Sequence, residues 1–81
     1  MLMKRVSFSL ESELFERLKE IVENGKEIRS RVPVKKGILS KEHYLCEVQE
    51  KFVGEDFIRL KLKVIDRKFH GKRFVVSVVR R

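Results

Sequence analysis

The sequence predicts an α+β fold: one N-terminal strand and one amphipathic helix, followed by an antiparallel β-meander of three to four strands, with the helix packed on one sheet face. Three patterns predict it. Residues 4–10 and the stretch from Tyr44 to the end alternate with a period of two, residues 10–22 repeat with a helical period, and "GED" and "RKFHGK" interrupt the second alternation as turns. At 81 residues the chain is expected to form a single small domain over 1–81 with one core and little room for an enclosed pocket.

In "KRVSFSL", Val6, Phe8 and Leu10 alternate with Arg5, Ser7 and Ser9, as in a half-buried strand. Ser9 or Ser12 is then placed to cap a helix through "ESELFERLKEIVEN". There Leu10, Leu14, Leu18, Ile21 and Val22 form one stripe with Phe15 at its edge. Glu11 and Glu13 suit the positive end of the helix dipole, and Gly25 offers a left-handed stop.

Pro33 and Gly37 break the pattern of residues 26–43, where an edge strand is expected around Arg31 to Val34. From Tyr44, the residues Tyr44, Cys46, Val48 and Phe52 are assigned to one face, and Glu47, Gln49 and Lys51 to the other. Ile58, Leu60, Leu62 and Val64 face inward in the next strand, leaving Arg59, Lys61 and Lys63 as an outward comb. In "RFVVSVVR", Phe74, Val76 and Val78 share one face while Val75 and Val79 load the other. That implies a central strand, or one whose second face meets a partner subunit.

The apolar fraction of 42% argues against disorder, and "MLMKR" leads into no apolar stretch of signal-peptide or membrane-spanning length. A cytoplasmic location without membrane association is therefore expected. Cys46, the only cysteine, forms no intrachain disulfide. With His43 and His70 it makes at most three ligands at no recognised zinc spacing, so neither metal nor cofactor is expected. The 40% charged content, rich in Lys, Arg and Glu, resembles a thermophile-like surface.

Charge is segregated along the chain. Residues 1–58 hold eleven basic against eleven acidic side chains and residues 59–81 hold nine against one, so the second part carries the whole net charge of +8. Such segregation suits a polyanion. The comb Arg59, Lys61 and Lys63 has a tooth spacing of about 6.6 Å, near the phosphate spacing of a nucleic-acid strand. The turn "DRKFHGKR" is expected to continue it through Arg67, Lys68, Lys72 and Arg73, with Phe69 and His70 among them, and Arg80 and Arg81 are added as a flexible end.

These residues predict a small basic nucleic-acid-binding protein, DNA or RNA, contacting phosphates and having no catalytic residues. An exposed Phe69 would stack on an unpaired base, whereas a core Phe69 would cap the sheet. An interaction subunit docking an acidic protein is the alternative from another class; there the Val75 and Val79 face would be buried by the partner.

"RVSFSLESELFERLKEIVENG" resembles the first strand and helix of the ribbon-helix-helix DNA-binding proteins, a likeness over residues 4–25 that does not extend to their second helix. It implies a transcriptional regulator, a homodimer through the N-terminal strand, and base-reading roles for Arg5, Ser7 and Ser9. The last strand is the other candidate dimer contact. The strand, helix and basic sheet ending in "GKRFVVSVVRR" are similar in outline to the mRNA-cleaving toxins of toxin–antitoxin pairs. That likeness implies a ribonuclease working through Tyr44, His70, Arg73, Arg80 and Arg81.

Overall fold

Alternation and helical stripe resolve into a five-stranded mixed sheet with one α-helix across one face, in a computed structural model that describes residues 3–81. The elements are β1 (Lys4–Leu10), α1 (Ser12–Asn24), β2 (Glu27–Ser30), β3 (Pro33–Lys35), β4 (Ile38–Leu39), β5 (Tyr44–Val53), β6 (Phe57–Val64) and β7 (Arg73–Arg80). The sheet order is β1-β7-β6-β5-β2, with β1 parallel to β7 and every other pair antiparallel. The expected meander is therefore present as β5-β6-β7, and the first strand closes one edge beside the last.

Ile58, Leu60, Leu62 and Val64 of β6 are all buried, as period two with strictly apolar alternate residues requires of a central strand. Phe74, Val76 and Val78 continue this face on β7, and Phe15 and Val22 of α1 cover it. Both edges of β7 are paired, while its second face stays open, with Val75 half-buried and Val79 47% exposed.

The helix is rotated from the stripe that its sequence predicts. Phe15 and Val22 are buried and Leu18 is half-buried, whereas Leu14 is 43% and Ile21 53% exposed. Phe15 is the centre of the contact rather than its edge. The residues at i, i+3 and i+7 from Phe15 point at the sheet, and the large aromatic ring fills more of the space over β7 than Leu14 would.

The helix ends differ too. Glu11 is the N-cap, with no side-chain capping bond from it, Ser9 or Ser12, so Glu13 in the first turn is what answers the dipole there. Gly25 is extended (φ −124°), not left-handed; its N–H donates to Ile21 O at 2.9 Å. The Lys51 ammonium caps the last turn, donating to Val22 O at 2.8 Å and Glu23 O at 3.4 Å. A cation is favourable at that end of a helix.

Lys51 reaches inward because β5 is bulged. Val48 lies opposite Leu62 and Glu50 opposite Lys61, leaving Gln49 as one extra residue. The insertion inverts the alternation, so Lys51 turns toward the helix and Phe52 turns out beside Arg59. This reverses the expected facing of both residues.

Residues 26–43 also fold otherwise than expected. The edge strand is β2, paired with the start of β5, while β3 and β4 form a separate hairpin beside β1 with Gly37 at φ 74° in its turn. Val32 and Pro33 plug the core there. Ser40 holds them: its N–H donates to Val32 O (2.9 Å) and its hydroxyl accepts from Val32 N–H (3.1 Å). No described helix is long and apolar enough to cross a membrane.

Candidate nucleic-acid interface

Among the described residues no helix or strand packs over the sheet face opposite α1, and the strand register orders its side chains into rows. Glu27, Glu47, Lys63 and Arg73 form one row; Glu50, Lys61, Val75 and Arg5 the next; Phe52, Arg59, Ser77 and Ser7 the third; Phe57, Val79 and Ser9 the last. Three strands thus bring together Arg5, Arg59, Lys61, Lys63 and Arg73. Neighbouring strands are about 4.8 Å apart and alternate residues about 6.6 Å, so the cations form a lattice on the scale of a phosphate backbone.

Three carboxylates share this face, Glu27, Glu47 and Glu50. Lys61 Nζ lies 3.4 Å from Glu50 Oε2 across β6 and β5, with the carboxylate 73% exposed. Such a pair contributes under about 1 kcal/mol and yields readily to another anion. Among the described residues, Arg5, Arg59, Lys63 and Arg73 have no carboxylate within 4.0 Å. The middle rows border a shallow depression of about 500 Å³, lined by Arg5, Glu50, Lys51, Phe52, Arg59, Lys61 and Val75. Val75 is shorter than Arg5 and Lys61 on either side of it, and Ser77 and Ser7 are both short beside Arg59, which accounts for the trough.

The outer surface of α1 has the opposite character, with Glu13, Glu16, Glu20 and Glu23 around Arg17 and Lys19. The charge segregation seen along the chain is therefore also a segregation between layers.

The 66–73 turn does not extend the comb as one surface. Asp66 Oδ2 accepts from Leu45 N–H at 2.6 Å, Arg67–Phe69 form a 3₁₀ turn, and Gly71 at φ 87° allows the return into β7. Phe69 is half-buried, edge-on to Tyr44 with centroids 5.1 Å apart. The ammonium groups of Lys68 and Lys72 stand 5.7 and 5.9 Å from its centroid, so cation–π attraction gathers the like charges around this ring. Partial burial, then the nearby Lys4, pushes the Lys72 ammonium below the usual lysine range. Of the turn residues, Arg73 joins the open face. Arg67, Lys68, Phe69, His70 and Lys72 lie at the end of the core, with Arg67, Lys68 and His70 exposed.

Arg80 is not a flexible end. Its Nη2 donates to Glu16 Oε1 (2.6 Å) and Glu55 O (2.7 Å), its Nε donates to Asp56 Oδ1 (3.0 Å), and its guanidinium lies 4.6 Å from the Phe15 centroid. It pins the helix to the β5–β6 loop, on the side away from the comb. The hydrogen bond to Arg80 holds the Glu16 carboxyl below its ordinary value. Arg81 is exposed and donates its backbone N–H to Leu10 O at 2.7 Å.

The residues that the toxin likeness implies do not converge. Tyr44 is buried and donates its hydroxyl to Glu42 Oε2 at 3.1 Å, His70 is exposed in the turn, and Arg73 and Arg80 stand about 23 Å apart at the two ends of β7. Arg5, Ser7 and Ser9 do share one face of β1. Cys46 is buried, and desolvation followed by the nearby Asp66 charge pushes its thiol up to about 11. No group of three His, Cys, Asp or Glu side chains that could hold a metal gathers among the described residues.

Phe52 is the member of this face that period-two reading misassigns. The charges held the signal: only a register with one extra residue sets Glu47 opposite Lys63 and Glu50 opposite Lys61 at once. Comparison with family models, curated proteins and solved structures returned no match.

Proposed function

We propose that this protein binds nucleic acid through the uncovered sheet face, with Arg5, Arg59, Lys61, Lys63 and Arg73 contacting phosphates. One observation carries the reading: five cations from three adjacent strands stand together at phosphate spacing, answered on that face by Glu27, Glu47 and Glu50 toward the β5–β2 side, and opposite an acidic helix. The helix surface repels a polyanion while the sheet attracts it, so the field orients the encounter. Contacts made through phosphates give affinity with little sequence preference.

The test is binding to labelled DNA and RNA across a salt series, comparing wild type with Arg5→Ala/Arg59→Ala/Lys61→Ala and with a helix-side control, Arg17→Ala/Lys19→Ala. Each lost phosphate contact lowers the log–log salt slope by about 0.7 to 0.9, so the triple variant should lose about 2 from the slope while the control loses none. Wild type that binds neither polymer at low salt, or a triple variant equal to wild type, would refute the proposal.

A further inference from the structure

We infer that the ligand of this face is single-stranded, and that Phe52 is the platform on which one unpaired base stacks. The inference rests on the nucleic-acid reading above and adds to it the kind of strand and the residue that selects it. The Gln49 bulge takes Phe52 out of the core pattern and sets its ring, 56% exposed, on the basic face as the cross-strand partner of Arg59. Its contacts within the chain are with Phe57 and Gly54 at the hairpin end, and more than half of its surface stays open on the basic face.

The ring is held rather than loose. Phe57 lies beside it, centroids 6.3 Å apart and planes tilted by 50°, and a Cβ on Gly54 would stand only 3.2 Å from the Phe52 ring. The missing side chain at Gly54 lets the ring lean over the hairpin end, where Val79 adds apolar surface at 47% exposure. Open sheet therefore runs from an aromatic end, through Arg59, to Lys61 and Arg5 beside the trough.

That order matches one nucleotide unit of a single strand. A base on Phe52 places its phosphate within reach of Arg59 about 5 Å away, and the next phosphate falls near Lys61, about 6.6 Å further along β6. A duplex offers the phosphates but not the base faces, since those are stacked on one another. Aromatic stacking tolerates any base, in keeping with contacts made mainly to phosphates.

Anisotropy titrations with fluorescein-labelled oligo(dT) and oligo(U) of about 12 nucleotides test this, beside a duplex of equal length and heparin as a charge-only polyanion. Phe52→Leu keeps the apolar bulk without the aromatic face. It should weaken both single strands about tenfold, leave duplex and heparin binding unchanged, and melt within a few degrees of wild type because the position is exposed. Phe52→Tyr should retain wild-type affinity, and an oligomer with abasic sites at its centre should not distinguish Phe52→Leu from wild type.

Equal affinity of Phe52→Leu and wild type for the single strands, or an equal loss on heparin, would overturn the stacking role and leave the basic face standing. Wild type that binds no polyanion would overturn both readings. Wild type that sediments as a dimer, with Phe52→Asp monomeric and unchanged in nucleic-acid affinity, would instead make this patch a contact between two copies and also overturn the inference.

Discussion

Substituting the two sides of α1 separates the helix facing described above from the stripe its sequence suggests. Phe15 is fully buried, so Phe15→Ala removes a ring from a closed site and leaves a cavity, at a cost of about 3 to 5 kcal/mol. For a domain of this size each kcal/mol lowers Tm by about 4 to 8 °C, so the loss is at least about 12 °C. Leu14 and Ile21 are about half exposed, and truncation there leaves no enclosed void. Each alanine variant should cost about 1 kcal/mol or less, and Ile21→Ala regains part of it through helix propensity. Far-UV circular dichroism melts of the three variants, with Phe15→Leu as a graded intermediate, give the comparison. Equal losses at Leu14 and Phe15, or a larger loss at Ile21, would show that the other stripe faces the sheet.

Lys51→Met should lower stability by about 1 kcal/mol, read as a Tm shift, by leaving the Val22 and Glu23 carbonyls without their cation; a Tm equal to wild type would contradict the cap. Because Arg80 depresses the folded-state pKa of Glu16, the stability that the pair contributes is present above the ordinary value of 4.5 and lost as pH falls through the lowered one. The Tm gap between wild type and Glu16→Gln should therefore close below about pH 4.5, and a gap constant to pH 2 would contradict it. Gly71→Ala should cost about 1 kcal/mol through its φ of 87° alone, since an added Cβ meets nothing within 4 Å; equal melting would exclude that strain. Cys46, with its thiol raised to about 11, should resist alkylation at pH 8 until denaturant is added.

The fold class and four of the strands were legible because burial imposes period two on β1, β5, β6 and β7. The parallel pairing of β1 with β7 was not, since it joins residues some seventy positions apart and leaves no local pattern. β2 was hidden by its charged, short sequence, in which only Ile28 is an apolar inward residue. The bulge cost most. One extra residue at Gln49 reverses every later side chain of β5, so Phe52 reads as core and Lys51 as surface until the opposite strand is in view.

At the candidate interface, the comb of Arg59, Lys61 and Lys63 followed from β6 alone, whereas the contribution of Arg5 needed the β1–β7 pairing. Arg80 looked like one more terminal cation in sequence. Only the packing of α1 shows it between Glu16, Asp56 and the Phe15 ring.

The measurement closest to the central claim is a ¹⁵N–¹H correlation titration of the labelled protein with a short single-stranded oligonucleotide at low salt. The account predicts that amides of Ser7, Phe52, Arg59, Lys61 and Ser77 shift and saturate together, while Glu13 and Glu20 on the helix stay in place. Shifts confined to the Lys68–Lys72 turn or to the helix, or none at saturating ligand, would contradict it.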